Sequence, residues 1–356
     1  KEAGGLGGKR SDLPLIAVAQ EGGPQANPLG LDDAPSFESL GRNAAPAFAL
    51  AVLNRAEPDE AKLAEAVAPI KAVAGEYALA AYARGISVVL APVLDVFQAG
   101  TSSAGLRDRT FGTDAARVSL YGEAFAAGLR EGGVIPVVKH YPGFGAASER
   151  PDGTYTILER DRTALATNVI LPFATAADNG VPGILVSHVS VPLVDPEERP
   201  ASMSPILVNA LMRQAWEYDG VALADNLNSS MLPEAYTPDK AFVAALVAGC
   251  DAVLLHEADR ETLAAMCIAL AEAVSEGIVA ETRLEESKKR LGTWQEELGG
   301  VGTTVMMAKA EPEQDNNEDE IVDVDIGEGE GEGEGEGEGE GEGEGEGEGE
   351  GEGEGE

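Results

Sequence analysis

The chain has 356 residues, enough for one large α/β domain or two small ones. Its 63 acidic residues outnumber its 25 Lys and Arg, and the net charge is −38. With no basic stripe to displace phosphate counterions, the composition excludes nucleic-acid binding. No run of 18 apolar residues occurs, so no membrane-spanning helix is expected. Cys250 and Cys267 match no ligand spacing or disulfide framework, and we expect no metal site.

Apolar runs alternate with helical segments along the chain. Residues 24–46, rich in Pro, Asn, Asp and Gly, are predicted to form a long loop, and the stretch from about 144 to Arg160 a second loop. Strands are predicted at 13–18, 86–90, 134–138, 184–186, 221–224 and 252–255, and helices at 58–83, 114–131, 161–179, from Ser204, and at 240–248, 260–275 and 284–297.

Strands that alternate with helices in this way predict parallel βαβ units, and we assign the chain to the α/β class with a TIM-type (β/α) barrel. No Gly-x-Gly-x-x-Gly follows the first strand, so dinucleotide binding has no support. We divide the chain into an N-terminal arm (1–12), the barrel (13–300), an acidic linker (301–326) and a Gly-Glu repeat tail (327–356). The repeat predicts a disordered, solubilising tail, with weak divalent-cation binding as the alternative.

Each predicted strand ends in polar residues, and in a barrel such strand ends form the binding face. The ends carry Glu21, Asp95, Lys139 with His140, His188, Asp225 and His256. Lys139 and His140 precede a Pro and two Gly, which indicates either one wall of a site for an oxygen-rich ligand or a solvated surface loop. Asp225 directly follows a strand, where a carboxylate can attack a sugar anomeric carbon or, alternatively, cap a helix from Ser229.

Several segments, in one order from about residue 13 to 292, resemble glycoside hydrolase family 3, and the β-N-acetylglucosaminidase branch most of all. These segments are Gln20-Glu21-Gly22-Gly23, 90–96, 108–112, Lys139-His140-Tyr141-Pro142-Gly143, Ser187-His188-Val189, 218–227, 248–251 and 283–287. The resemblance implies that Asp225 is the catalytic nucleophile and that Arg109, Lys139 and His140 hold sugar hydroxyls. It also implies that Glu21 and His188 line the same pocket.

The chain departs from that branch at three places. Ala19 stands where the branch has an Asp, and Pro24 where it has an Arg. The branch draws its acid/base from an Asp-Ser-His triplet, and the matching loop here has no His. Its carboxyl groups, Glu149 and Asp152, are the candidate acid/base residues, each with the alternative of a solvated loop acid. The family's first βα unit also has no counterpart here.

We therefore predict a retaining glycoside hydrolase that acts on a β-linked sugar, either a β-N-acetylhexosaminide or a β-glucoside, through a covalent intermediate on Asp225. The alternative is a catalytically degenerate module that binds sugar or cell-wall fragments; a phosphate ligand at the Lys139 loop is a weaker third hypothesis. No organic cofactor is implied, and the expected partner is a carbohydrate. The chain starts at Lys1 rather than Met, which we interpret as a processed or truncated end, and a secreted or cell-envelope location is favoured over a cytoplasmic one.

Overall fold

Six parallel strands form one curled sheet in a computed structural model that describes residues 14–23, 26–52, 59–99, 101–149 and 156–308. The order across this sheet is β1-β2-β3-β6-β7-β8, so the strands of the sheet are neighbours in the order in which they occur in the chain. The remaining two strands, β4 and β5, form a separate antiparallel hairpin. The strands are β1 (Ala17–Val18), β2 (Val88–Val89), β3 (Ile135–Tyr141), β4 (Ser148–Glu149), β5 (Thr156–Ile157), β6 (Gly183–Val186), β7 (Val221–Ala224) and β8 (Ala252–Val253).

Helices connect the strands of this sheet. They are α1 (Phe37–Val52), α2 (Glu60–Ala83), α3 (Ala115–Glu131), α4 (Arg162–Ala164), α5 (Leu171–Asp178), α6 (Pro238–Ala248), α7 (Arg260–Ser275) and α8 (Glu281–Ala308). Leu165–Val169 and Ile206–Ala215 are π-helical, and Ser102–Arg109, Phe144–Ala146 and Ala201–Met203 are 3₁₀ turns. The predicted α/β class with parallel strands is confirmed. None of the described helices is long and apolar enough to cross a membrane.

The central strands of the sheet form from apolar residues that are buried on both faces. All four residues of β6 and all four of β7 are buried, as expected of parallel strands read from continuous apolar runs. The inner face of the sheet carries Val137, Leu185 and Val221, and Trp294 of α8 packs against them. The indole Nε1 of Trp294 donates to the Pro182 carbonyl at 3.0 Å, which seats α8 across the N-terminal end of β6.

Two predicted loops are wrong. The first, 24–46, contains the start of α1: Ser36 accepts from the Ser39 amide at 3.2 Å, and Phe37, Leu40 and Ala44 form a buried face at helical spacing. The second predicted loop contains a 3₁₀ turn and the β4–β5 hairpin. Strand β3 also runs to Tyr141, so Lys139 and His140 lie within it rather than after it.

The predicted domain boundaries remain predictions. The arm at 1–12 and the Gly-Glu tail at 327–356 lie outside the described residues. Helix α8 continues to Ala308, so the boundary placed at residue 300 falls within a helix.

A buried carboxylate joins the N-terminal ends of β7 and β8 to α8. Asp251 precedes β8, and its side chain accepts from the Ala222 amide and the Ser287 hydroxyl, both at 2.9 Å. Three arginines also bind it: Arg213, Arg283 at 3.0 Å and Arg290 at 3.2 Å. Since every oxygen of Asp251 is paired, the cluster holds the sheet and two helical segments in register.

We expect Asp251→Ala to lower the free energy of unfolding by roughly 3–5 kcal/mol, because it leaves three guanidinium groups without their shared carboxylate. Urea unfolding measures this loss. The matched control is Asp219→Asn: Asp219 bonds Arg290 at 2.9 Å but is 69% exposed, so its loss should cost less than about 1 kcal/mol. Equal losses in the two variants would show that the cluster is no stronger than a surface ion pair.

Candidate active site

The C-terminal ends of the parallel strands bring the predicted site residues to one edge of the sheet. Glu21 follows β1, Asp95 follows β2, Lys139 and His140 lie at the end of β3, His188 follows β6, and Asp225 follows β7. Because these strands are neighbours with the same direction, their exits form one rim, which is where (β/α) barrels bind their ligands.

Glu21 pairs with two cations from different parts of the chain. Its Oε2 accepts from Arg109 Nε at 2.5 Å and its Oε1 from Arg109 Nη2 at 2.8 Å, a two-pronged contact. Lys139 Nζ reaches Oε1 at 2.5 Å. The side chains of Glu21 and Lys139 are 2% and 5% exposed, whereas Arg109 is 29% exposed. Glu21 and Lys139 are therefore shielded from solvent by the protein, and Arg109 is the member of the cluster that solvent can reach.

The charges of this cluster shift the pKa values of its members. Burial alone would raise the pKa of Glu21, but the hydrogen bond from Arg109 and the charges of Lys139 and Arg109 outweigh burial, and the pKa falls to about 2. Burial lowers the pKa of Lys139, and the carboxylates of Glu21 and Asp225 oppose that shift. The hydrogen bond to Glu21 raises the pKa of Arg109. Glu21 is thus a carboxylate whenever the protein is folded near neutral pH.

The loop that presents Glu21 is fixed by its neighbours. Gln20 is fully buried; it donates to Asn27 Oδ1 at 2.8 Å and accepts from the Leu29 amide at 3.1 Å. Gly22 has φ +78°, and a Cβ there would lie 2.2 Å from both the Pro35 carbonyl oxygen and the Tyr77 hydroxyl. Only glycine fits at position 22, so the glycine that follows Glu21 has a steric cause.

Asp95 positions His140 and the loop after it. The Asp95 side chain is fully buried, and its Oδ2 contacts His140 Nδ1 at 2.7 Å. Its Oδ1 accepts from the amides of Phe144 at 2.5 Å and Gly145 at 3.3 Å. A carboxylate only accepts, so Nδ1 of His140 is the donor in this contact. The peptide bonds Lys139–His140 and Tyr141–Pro142 are cis.

Asp225 stands at the end of β7 beside the cationic cluster. Its amide donates to the Val186 carbonyl at 2.9 Å, which continues the ladder, and its Oδ1 accepts from the Asn226 amide at 2.7 Å. Its charge acts on Lys139, Arg109 and His188, so the carboxylate lies within electrostatic range of the Glu21 cluster. The alternative that Asp225 caps a helix from Ser229 is wrong, because within the described ranges the next helix, α6, begins at Pro238.

His188 supports the backbone next to Asp225. Its Nε2 lies 2.9 Å from the Asn226 carbonyl oxygen and its Nδ1 2.8 Å from Ser202 Oγ, and the ring is 1% exposed. Burial lowers the pKa of His188, with Asp225 opposing, so the ring is neutral: Nε2 donates to Asn226 and Nδ1 accepts from Ser202. Neither ring nitrogen of His188 is left for a sugar hydroxyl. We therefore expect His188 to orient Asn226 rather than to bind the sugar directly.

The two candidate acid/base residues belong to one hairpin. Glu149 ends β4 and is exposed, and it pairs across the hairpin with Thr156 of β5. Asp152 lies outside the described residues, between the two strands. Asp95 is absent from the residues predicted for the site. Its position at a strand exit is the one signal in the sequence, because its contact with His140 spans 45 residues.

The family model described as the glycosyl hydrolase family 3 N-terminal domain matches residues 39–293. The β-hexosaminidase of Chromobacterium violaceum is 33% identical over 287 residues, which are 79% of this chain and 73% of that protein. The β-hexosaminidase LpqI of Mycobacterium tuberculosis is 32% identical over 224 residues, 61% of this chain and 56% of that protein.

Solved structures are similar as well. A family 3 β-N-acetylglucosaminidase from a Paenibacillus species superimposes with a TM-score of 0.68 at 28% identity, over 81% of this chain and 50% of that one. The β-N-acetylhexosaminidase from Beutenbergia cavernae gives 0.65 at 27% identity, over 79% of this chain and 78% of that one. The chain thus spans only about half the length of some relatives. It belongs to glycoside hydrolase family 3 and contains the N-terminal domain of that family.

Proposed function

We propose that this chain hydrolyses a β-linked sugar with retention of configuration, through a glycosyl intermediate on Asp225. The observation that supports the proposal is that Asp225 follows β7 at the same rim of strand ends as the Glu21–Arg109–Lys139 cluster, within range for its charge to act on Lys139 and Arg109. A nucleophile on one side and hydrogen-bond donors on the other are what an anomeric carbon and its ring hydroxyls require.

The hydrogen-bonding groups proposed to bind the sugar hydroxyls differ in geometry and charge. The guanidinium of Arg109 is partly exposed and offers its planar N–H groups, while Lys139 offers a point charge with three donors, one of them engaged by Glu21. His140, whose Nδ1 is bound by Asp95, offers Nε2 as a further hydrogen-bonding group for a hydroxyl. Glu21 holds both cations at fixed positions, so little ordering is required when the sugar binds.

The chemistry proceeds in two displacements. Asp225 attacks the anomeric carbon as the glycosidic bond breaks, and an acid gives its proton to the leaving oxygen. The same group, now a base, takes a proton from water, and the hydroxide attacks the anomeric carbon and releases the Asp225 carboxylate. Glu149 and Asp152 are our candidates for this acid/base. The relatives named as β-hexosaminidases favour a β-N-acetylhexosaminide as substrate, with a β-glucoside as the second choice.

A binding module is the second candidate function. Ala19 presents an exposed methyl group where the resembled branch has an Asp, and this removes one anchor for sugar hydroxyls. A protein of this second kind would bind the sugar without turnover.

We expect Asp225→Asn to reduce kcat/KM on a chromogenic β-N-acetylglucosaminide by at least about a thousandfold, because an amide cannot form the glycosyl ester. Initial rates on this substrate and on the matching β-glucoside measure the loss. Asp178→Asn, at an exposed position of α5, is the matched control and should keep the rate of the unaltered protein. If sugar binds but neither the unaltered protein nor the control turns over, the chain is the binding module.

We expect that the acid/base residue can be identified from how the rate of its variant depends on the leaving group of the substrate. Replacing the proton donor should slow a substrate with a poor alkyl leaving group far more than one with a nitrophenol, which departs without protonation. Glu149→Gln and Asp152→Asn are compared on both substrates, with and without azide, which attacks the intermediate without needing a base. The variant that shows both the leaving-group effect and azide rescue identifies the acid/base, and if neither does, both candidates are wrong.

We expect Glu21 to contribute a pH-dependent part of the stability. Its pKa is about 2 in the folded chain against an ordinary 4.5, so this stabilisation is complete above about pH 4.5 and is lost as pH falls towards 2. The difference corresponds to about 3 kcal/mol. Urea unfolding of the unaltered protein and Glu21→Gln, followed from pH 6 downwards, should give curves that converge in this range.

Glu285→Gln is the control for this titration, since Glu285 is 73% exposed and only touches Lys288 at 3.5 Å. It should follow the pH dependence of the unaltered protein. Parallel curves for the unaltered protein and Glu21→Gln would mean that the Glu21 carboxylate is not stabilised by its cations.

A further inference from the structure

The β4–β5 hairpin, which carries both acid/base candidates, is joined to the rest of the domain by two legs. The first leg leaves the Phe144–Ala146 turn and enters β4, and the second leaves β5 and continues to Arg160. Both legs contact the segment that follows β2. A proton donor on the hairpin acts only if these legs hold it within hydrogen-bonding reach of the glycosidic oxygen.

Gln98, in the segment after β2, bonds to both legs. Its backbone amide donates to the Gly145 carbonyl of the first leg at 3.1 Å. Its side-chain Oε1 accepts from Arg160 of the second leg, from Nε at 3.1 Å and from Nη2 at 2.9 Å. Nη1 of the same guanidinium donates to the Glu159 carbonyl at 2.7 Å. Since a guanidinium only donates, the oxygen of the Gln98 amide is the atom that makes this contact.

The first leg is held by contacts that do not involve the Gln98 side chain. A Cβ at Gly145 would lie 2.5 Å from the Val96 carbonyl oxygen, so glycine allows this leg to approach the segment after β2. The buried Asp95 accepts from the Gly145 amide at 3.3 Å. The Gln98 backbone adds its own bond to the Gly145 carbonyl. Loss of the Gln98 side chain would therefore leave this leg in place.

The second leg is held at its two ends by different segments. Where it begins, the Leu158 amide donates to the Ser190 carbonyl at 2.8 Å, and the Ser190 amide donates to the Thr156 carbonyl at 3.0 Å. These bonds join it to the segment after β6. Where it ends, Arg160 joins it to the Gln98 side chain. Removing the Gln98 oxygen would thus release the end of this leg while the sheet and the first leg keep their contacts.

We propose that Gln98 is a positioning residue for proton transfer, because through Arg160 it fixes the hairpin that carries the acid/base. This inference rests on the proposed function. A side-chain amide neither gives nor takes a proton in this reaction, so Gln98 acts through the hairpin and not on the substrate. A looser hairpin slows the step that needs a proton donor and leaves the attack by Asp225 unchanged.

Gln98→Met keeps the length of the side chain and removes its acceptor. We expect it to reduce kcat/KM about tenfold on an alkyl β-N-acetylglucosaminide but less than about twofold on the nitrophenyl compound, because only the alkyl leaving group needs protonation. Arg160→Met should have the same effect, whereas Gln98→Glu keeps an acceptor for Arg160 and should retain the alkyl rate. Arg162→Met removes an exposed arginine nearby and should leave both rates unchanged.

Hydrogen exchange of the hairpin amides tests the same contact without any substrate. We expect Gln98→Met to speed exchange in the hairpin at least about threefold, while exchange in β6 and β7 stays unchanged. Unchanged exchange in the hairpin, no loss on the alkyl substrate, or equal losses on both substrates would overturn the role of Gln98 alone. Absence of turnover in the unaltered protein would overturn the proposed function and, with it, the role of Gln98 in proton transfer.

Discussion

The contact of Glu21 with Arg109 and Lys139 is the interaction on which the site depends. One carboxylate that is 2% exposed joins a strand exit, a 3₁₀ turn and the end of β3, so it fixes three distant parts of the chain at one point. Two cations at this spacing would repel each other without it. Because the carboxylate remains charged down to about pH 2, it holds Arg109 and Lys139 in place over the whole physiological range.

The two ends of the parallel strands differ in how far they are covered by the rest of the protein. At the N-terminal end, Asp251 is paired by three arginines and Trp294 of α8 covers the inner face, so this end is closed and stabilising. At the C-terminal end, the Glu21 cluster is partly exposed at Arg109, and Asp225 accepts one hydrogen bond from the Asn226 amide. Both ends contain a buried carboxylate that is held by cationic side chains: Asp251 at the N-terminal end and Glu21 at the C-terminal end.

Local patterns predicted the elements of the fold better than the contacts between them. The six strands and the strand-end positions of Lys139, His188 and Asp225 follow from apolar runs that end in polar residues. Sequence patterns predict a loop instead of α1, because the Pro, Asn and Gly in this region favour a loop and outweigh the helical spacing of Phe37, Leu40 and Ala44. The Asp95–His140 and His188–Ser202 contacts join residues far apart in the chain, and no local pattern encodes which partner each histidine has. For His188 these partners decide the role, since they occupy both nitrogens.

The central claim is that Asp225, opposite the Glu21 cluster, forms a bond to the sugar. Intact-mass and peptide mass spectrometry after incubation with a 5-fluoro glycosyl fluoride that keeps the 2-acetamido group measures that bond directly. The ring fluorine slows both steps, while the fluoride leaving group keeps formation of the intermediate faster than its hydrolysis. The account predicts a stoichiometric glycosyl adduct on the peptide that contains Asp225, absent after the change of Asp225 to Asn. An adduct on another carboxylate, or turnover of a good substrate with no adduct, would contradict it.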